Sequence, residues 1–519
     1  MQKNIIRLLP GVIIIIGIIL RLWRLPEVFH FTYDEEVFAF IGKRMFVNGH
    51  IPLIGGVTPM HVHLAPYFYW LSGIFLWFSK LNPLGWGYAA VLISCITMIL
   101  LFVTTQKIYG RTVAIIALFI YCISFYQNVF DRHYWGLVFD GLISVGVMFS
   151  IFNIINLKTK YVYLLSLLLA FGINTDPSMI VLILLSIISL FYFKPKINFK
   201  IYLIALFIFL FSFLPLVIFD LRHNFSNIGG LKLYIEDIQA TKNRTDQFSP
   251  IQSILFIPQA LGRTLYTFGD QDLAKQYSYC QNHLIERLNN VPIPIVIIVL
   301  VSLVIFFIDK STNSKERIGN ILIKILFMSV ILGILIYGIG FGGILYDHYL
   351  ATLFPIYYIM VAYLLKKYLI KIPILFILLL SMFAILNINS SLNIKHSYGF
   401  TDKTSAVKWA IEKTGNNEFS LDVLSSCFRY NGYRYLFLLG GKEPVKSYVD
   451  ANFTYLFDKP PAFEHPKYLI LITNPDFVET KQYDDKLKIY QDHIIEKTKF
   501  GKIEVMYINN VGLEKYADY

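Results

Sequence analysis

What this chain has least of is charge. Asp, Glu, Lys and Arg make up 15% of its 519 residues, against about 25% in an ordinary soluble domain. Apolar side chains fill the gap at 56%, with 44 Phe and 35 Tyr among the aromatics. Such a chain cannot bury its apolar surface in one aqueous core, so lipid must be its solvent over much of its length. Cysteine is scarce as well. Cys95, Cys122, Cys280 and Cys427 make no disulfide framework and contain no Cys-x-x-Cys pair. No phosphate loop, dinucleotide-binding glycine fingerprint or Gly-x-Ser-x-Gly occurs, so ATP-driven transport and serine hydrolysis have no support. The net charge of +12 would suggest nucleic acid in a soluble protein. Here the Lys and Arg sit in short loops between apolar runs, where they read as topology signals, and no nucleic-acid partner is expected.

What is present is a succession of apolar runs: 5–22, 85–105, 112–129, 135–156, 161–175, 178–193, 201–219, 291–309, 320–341, 349–365 and 372–388. Crossing a bilayer takes about 17–25 such residues. The first run has a basic start but no small-residue cleavage site, so it reads as a retained span rather than a signal peptide. The loops between runs decide the topology. Lys107/Arg111, Lys158/Lys160, Lys194/Lys196/Lys200, Lys310/Lys315/Arg317 and Lys366/Lys367/Lys371 all fall inside if the N-terminus is inside and the eleven runs cross. A further crossing by 64–79 would invert every later loop. With Pro66, Tyr67, Phe68, Tyr69, Trp70 and Trp77, that stretch reads as an interfacial helix instead.

The expected fold is therefore mainly α. Residues 1–390 form a polytopic bundle of about eleven crossings plus an interfacial helix. Residues 391–519 form a small α/β domain outside. In that tail Ala406–Thr414 reads as a helix, and 419–424, 435–439, 468–473 and 503–508 read as strands. The chain is expected to be a multi-pass cell-membrane protein, with its N-terminus cytoplasmic and its C-terminal domain extracytoplasmic.

The same arithmetic gathers acids and histidines on the outer face. Asp34-Glu35-Glu36 follow the first span. His61 and His63 precede the aromatic run that starts at Tyr67. Asp131-Arg132-His133, Asp220-Leu221-Arg222-His223 and Asp347-His348 stand at later helix ends. Each has a plain explanation: carboxylates at the positive end of a helix dipole, snorkelling arginines paired with a neighbouring Asp, surface histidines. Their shared face is harder to assign wholly to anchoring. The external acids could hold a divalent ion through oxygen, and His61/His63 could favour zinc. No complete ligand set shows in the sequence, so an obligatory metal is not expected and no other cofactor is implied.

The order of these motifs resembles the glycosyltransferase-C superfamily, in particular its family 39-like bacterial members. Those are similar to protein O-mannosyltransferases and to the aminoarabinose transferase of lipid A. The resemblance covers roughly residues 1–390. It rests on Tyr33-Asp34-Glu35, Leu64-Ala65-Pro66-Tyr67-Phe68-Tyr69-Trp70, Tyr109-Gly110-Arg111, Asp131-Arg132-His133-Tyr134-Trp135, Pro215 with Phe219–Asn224, and His348-Tyr349 before Phe354-Pro355. It implies helices around an external cavity and transfer of a sugar from a polyprenyl-phosphate donor to an envelope glycan, lipid or protein. It also implies that Asp34, supported by Glu35, is catalytic. Asp131, Arg132, His133, Asp220, Arg222, His223 and His348 would then lie at the donor phosphate, with His61, His63 and Tyr67 toward the acceptor. The rival classes are a glycolipid flippase and a non-catalytic scaffold in the membrane. Transporters place ionisable groups near the bilayer midplane on broken helices, whereas here the acids fall in loops at one face.

Overall fold

The computed structural model describes residues 2–58, 60–241, 250–266, 272–273, 291–337, 346–425, 431–462, 464–478 and 480–513. Each of the eleven apolar runs carries a helix, beginning with Gln2–Leu22. The last residues of the run 320–341 lie outside the described part.

By length and composition alone, fewer than the eleven expected crossings are met among the described residues. Among the described residues, four helices are long and apolar enough to cross alone: Leu84–Tyr109, Gly136–Ile155, Ser314–Leu335 and Pro373–Leu392. Phe199–Phe211 and Leu214–Arg222, bent by 45°, can together make a fifth. Arg111–Ile123, Tyr161–Thr175, Pro177–Phe193 and Ile293–Ile308 are shorter. At 1.5 Å per residue they fall short of a hydrocarbon core about 30 Å thick. An apolar run read from sequence includes residues that the fold spends on turns: the run 112–129 breaks at Ser124, whose hydroxyl caps the next short helix, Phe125–Phe130. The stretch expected at the interface forms Tyr67–Phe78, about 18 Å long and too short to cross.

Three of the basic loops meet at one end of the bundle, where Lys107 lies close enough to Lys158 and Lys315 for their charges to repel. Acids and histidines collect at the other end. There, Tyr33–Val47 crosses Tyr67–Phe78 where two glycines face each other. A Cβ on Gly42 would lie 3.1 Å from the Gly73 Cα, so only small residues let the two backbones come this close.

The C-terminal part builds one mixed sheet from β1 (Phe419–Leu424), β2 (Lys446–Ser447), β3 (Tyr468–Thr473), β4 (Ile494–Phe500) and β5 (Ile503–Asn509), in the order β2-β1-β3-β5-β4. β1 runs parallel to β2 and β3, and β5 runs antiparallel to β3 and β4. The helix Phe400–Thr414 includes the expected 406–414.

The expected strand 435–439 is instead the helix Tyr433–Leu439. A short continuous apolar run reads equally as a strand or as a buried helix. Here consecutive residues Tyr433 to Phe437 are all buried, which a helix packed on several sides satisfies. β4 was not anticipated, because Glu496, Lys497 and Lys499 give its edge a polar look of the kind that protects edge strands.

This sheet-bearing part sits on the loop and helix that follow the first span. The Thr401 hydroxyl donates to the Pro26 carbonyl (2.9 Å) and the Tyr435 hydroxyl to the Leu81 carbonyl (2.9 Å). Lys43 pairs with Asp458, and Arg44 donates to the Tyr455 carbonyl.

Candidate functional site

The site grows from the start of the Tyr33–Val47 helix. Thr32 is its N-cap and Glu35 its third residue, which is the spacing of a capping box. Glu35 Oε2 accepts from the Thr32 backbone N–H (2.9 Å) and hydroxyl (2.6 Å). That fixes the carboxylate, whose other oxygen accepts from His133 Nε2 at 2.9 Å. Burial alone would push Glu35 up, but the His133 hydrogen bond and charge, with Thr32, hold it down to about 2.

His133 stacks on Trp135 (4.4 Å between centroids), and Trp135 meets the edge of His348 at 5.0 Å. On its other side His133 meets His30 at 4.7 Å. His30 Nδ1 lies 3.4 Å from His396 Nε2. His396 Nδ1 accepts from the Tyr398 N–H at 3.1 Å, so its Nε2 carries the hydrogen and points it at His30. Burial pulls His396 down to about 3 and, with the charge of His133, keeps His30 well below the ordinary histidine range.

The three neighbouring acids of the first loop thus have separate fates. Asp34 is exposed, Glu35 is buried beneath the helix start, and Glu36 is fully buried on the side of the sheet. Glu36 is not solvated. Instead its carboxylate accepts from the Tyr435 backbone N–H (2.8 Å) and the Tyr448 hydroxyl (3.4 Å), and burial pushes it up to about 7.

Close by, Lys403 is buried with its ammonium on the carbonyls of Phe31 and Asn431, both at 2.6 Å. Burial brings it from 10.5 down to about 7. Between those values the unfolded chain holds a proton that the folded chain does not, so stability rises with pH across that window, by at most about 1.4 kcal/mol per unit. Thermal melts of the full chain at the two ends of the window should show that rise in the wild type and lose it in Lys403→Met. An equal rise in both proteins would assign the slope to other groups.

The other sequence-predicted residues divide. Asp131, expected at the donor phosphate, is buried. Its Oδ2 accepts from Arg21 Nε (2.9 Å) and Nη2 (2.7 Å), from Ser94 (2.6 Å) and from Tyr121 (3.0 Å). Arg132, expected to clamp that phosphate, is 3% exposed and donates to the Leu20 carbonyl. These two side chains turn into the bundle because Arg21 and the end of the first helix offer partners there.

A second group forms around residue 227. His63 Nδ1 lies 2.9 Å from Asn227 Oδ1, Asp220 accepts from the Asn227 N–H (3.0 Å), and His223 stacks on Phe219. Arg222 is exposed. Tyr67 donates to the Ser212 carbonyl at 2.7 Å, tying its helix to the bent pair. His61, which with His63 could have favoured zinc, faces Asp237 at 3.1 Å.

Elsewhere, three residues are placed so that they could hold a metal ion. His30, Glu35 and His133 each offer one donor atom, all within 4.8 Å of one another. Two imidazoles and a carboxylate are the protein ligands of one class of catalytic zinc site, so the set fits a divalent ion. Purified protein titrated with zinc should take up one ion per chain with an affinity that His133→Ala lowers at least about tenfold, since losing even a residue that only orients a ligand costs about 10–100-fold. Uptake unchanged in that variant would place the ion elsewhere.

Sequence reasoning missed His30, His396 and Trp135. The signal was there: His30 lies just past the first span and His396 just past the last, on the face that also receives His133.

No protein-family model matches this chain, and no curated protein does. Solved structures similar to it include these three. One is the Archaeoglobus fulgidus oligosaccharyltransferase in complex with zinc and sulfate, at 12% identity, covering 92% of this chain and 69% of that one, TM-score 0.47. The second is ArnT from Cupriavidus metallidurans bound to undecaprenyl phosphate, at 12% identity, covering 98% of both chains, TM-score 0.46. The third is the archaeal oligosaccharyltransferase AglB from Archaeoglobus fulgidus with an inhibitory peptide and a dolichol-phosphate, at 11% identity, covering 98% of this chain and 74% of that one, TM-score 0.48. The likeness is one of outline, and the function of this chain rests on its own residues.

Proposed function

We propose that this chain is a membrane glycosyltransferase that moves a sugar from a polyprenyl-phosphate donor to a cell-envelope acceptor, on the face that carries Asp34. The observation that carries the reading is the exposed Asp34 carboxylate beside the locked Glu35–His133 pair at the head of one helix. A lipid-linked donor keeps its tail in the bilayer and its phosphate at the interface, so the enzyme needs no nucleotide-binding domain. It needs a base for the acceptor hydroxyl, which Asp34 supplies, and positive charge or hydrogen-bond donors toward the departing phosphate. His133 and the exposed Arg222 are the groups for that task. A divalent ion held by His30, Glu35 and His133 would supply Lewis-acid stabilisation of the leaving phosphate.

Glu35, its oxygens occupied by Thr32 and His133 and its acidity raised, serves to orient this turn rather than to take a proton. On the same proposal the sheet-bearing part and Asp34 lie outside the cell membrane, with the lysine-rich end in the cytoplasm.

Membranes bearing the protein, supplied with polyprenyl-phosphate sugar and an envelope extract, should release free polyprenyl phosphate in step with sugar incorporation. Transbilayer movement of the donor without release would identify a flippase, and neither activity would identify a scaffold.

A further inference from the structure

We infer that the sheet-bearing C-terminal part is a positioning element for the transfer centre, and that Glu36 and Lys403 are the positioning residues through which it sets the direction of Asp34. The inference rests on the transfer reading above.

Two buried groups join the parts. Tyr435 lies in the first turn of Tyr433–Leu439, where backbone N–H groups have no partner within the helix. The N-cap there is Gly432, with no side chain to close them. Glu36, 399 residues earlier, accepts the Tyr435 N–H at 2.8 Å. Lys403 then bridges the Phe31 and Asn431 carbonyls, tying the residue before Thr32 to the residue before Gly432. Gly432 has φ +103°, and a Cβ on it would lie 3.0 Å from the Thr32 carbonyl oxygen. The backbone of the loop and that of the C-terminal part are therefore in direct apposition.

The grip works through helical geometry. Successive residues of a helix point about 100° apart. Glu35 is held inward by His133 and Glu36 is held toward the sheet by Tyr435 and Tyr448, so the direction left for Asp34 is the exposed one. Burying a carboxylate and an ammonium is expensive, and apolar side chains of like volume are often no worse for stability. A pair whose hydrogen bonds fix a catalytic turn has a reason to stay. Displacing a reacting group by about 1 Å can cost around 100-fold in rate.

Three variants of the full chain test this: Glu36→Ala, Glu36→Gln and Tyr448→Phe. They are compared by transfer kinetics with a polyprenyl-phosphate sugar and by hydrogen exchange of residues 30–36 without donor. Glu36→Ala should lower kcat by about 10–100-fold with donor KM near native, and should speed exchange of 30–36 at least about tenfold. Glu36→Gln keeps an oxygen for the Tyr435 N–H and should return kcat to within a few-fold of wild type. Where Glu36→Ala does not fold, Tyr448→Phe, which removes the longer hydrogen bond to Glu36 and the hydroxyl that accepts from the Gly432 and Tyr433 N–H groups at 3.2 Å, should show the same two changes at a few-fold. A loss of folded protein with normal kcat per folded molecule would reduce Glu36 to interface stability and overturn the inference, as would unchanged exchange. If the wild type transfers no sugar, the transfer reading fails by itself, and the exchange of 30–36 alone decides whether the C-terminal part holds the loop.

Discussion

Asp34→Asn should cut sugar transfer by about two to four orders of magnitude while donor binding stays near native, the range that general-base help supplies. A sugar on phosphate already has a good leaving group. The remaining barrier lies in deprotonating the acceptor hydroxyl while the anomeric carbon becomes positive, and one exposed carboxylate can take the proton and face that charge. Asparagine keeps the size and one acceptor oxygen but cannot take a proton. Of the three adjacent acids, Asp34 alone is exposed. Glu35 is held down to about 2, which makes it a poor base near neutrality, and Glu36 faces the sheet. Binding of the donor by the variant, measured with a fluorescent polyprenyl-phosphate sugar, separates chemistry from recognition. Native-rate transfer by a normally inserted Asp34→Asn protein would end the assignment.

Much of this was legible in the sequence, and the parts that were not share a cause. Apolar runs locate helices because 3.6-residue geometry hides every backbone polar group from lipid. They do not say which helices reach across, because length is spent on breaks such as Ser124 and on bends such as the one between Phe211 and Leu214. The acids and histidines could be assigned to one face from loop charge alone. Their orientation could not, since it depends on partners far along the chain: Asp131 turns to Arg21, Glu36 to Tyr435, His30 to His396. The same distance explains the strand expected at 435–439. Nothing local announces that its first-turn N–H would be answered by Glu36, and without that partner the run reads as well extended as helical.

Asp131→Ala should destabilise the protein by about 3–5 kcal/mol, because it leaves a buried guanidinium without its counter-charge. Arg21 is fully buried on the first helix, and beyond Asp131 it has the carbonyls of Gly17, Tyr121 and Cys122 at 3.1–3.3 Å. Those oxygens satisfy its hydrogens but carry no full charge. Asp131 also gathers Ser94, Tyr121 and Gln127, so its loss strands donors on four segments at once. Removing both charges is a different experiment. Arg21→Met with Asp131→Leu fills the same space without an unpaired ion, and exchanges of that kind are often neutral or better. The double variant should therefore recover most of the stability lost by Asp131→Ala. Thermal melts and monodispersity in detergent measure both proteins. A single variant as stable as wild type would show that the ion pair holds little. If Asp131→Asn at the same time abolished transfer, the residue would return to the phosphate role that its motif suggests. If the double variant is both stable and active, Asp131 serves the packing of the first helix and not the chemistry.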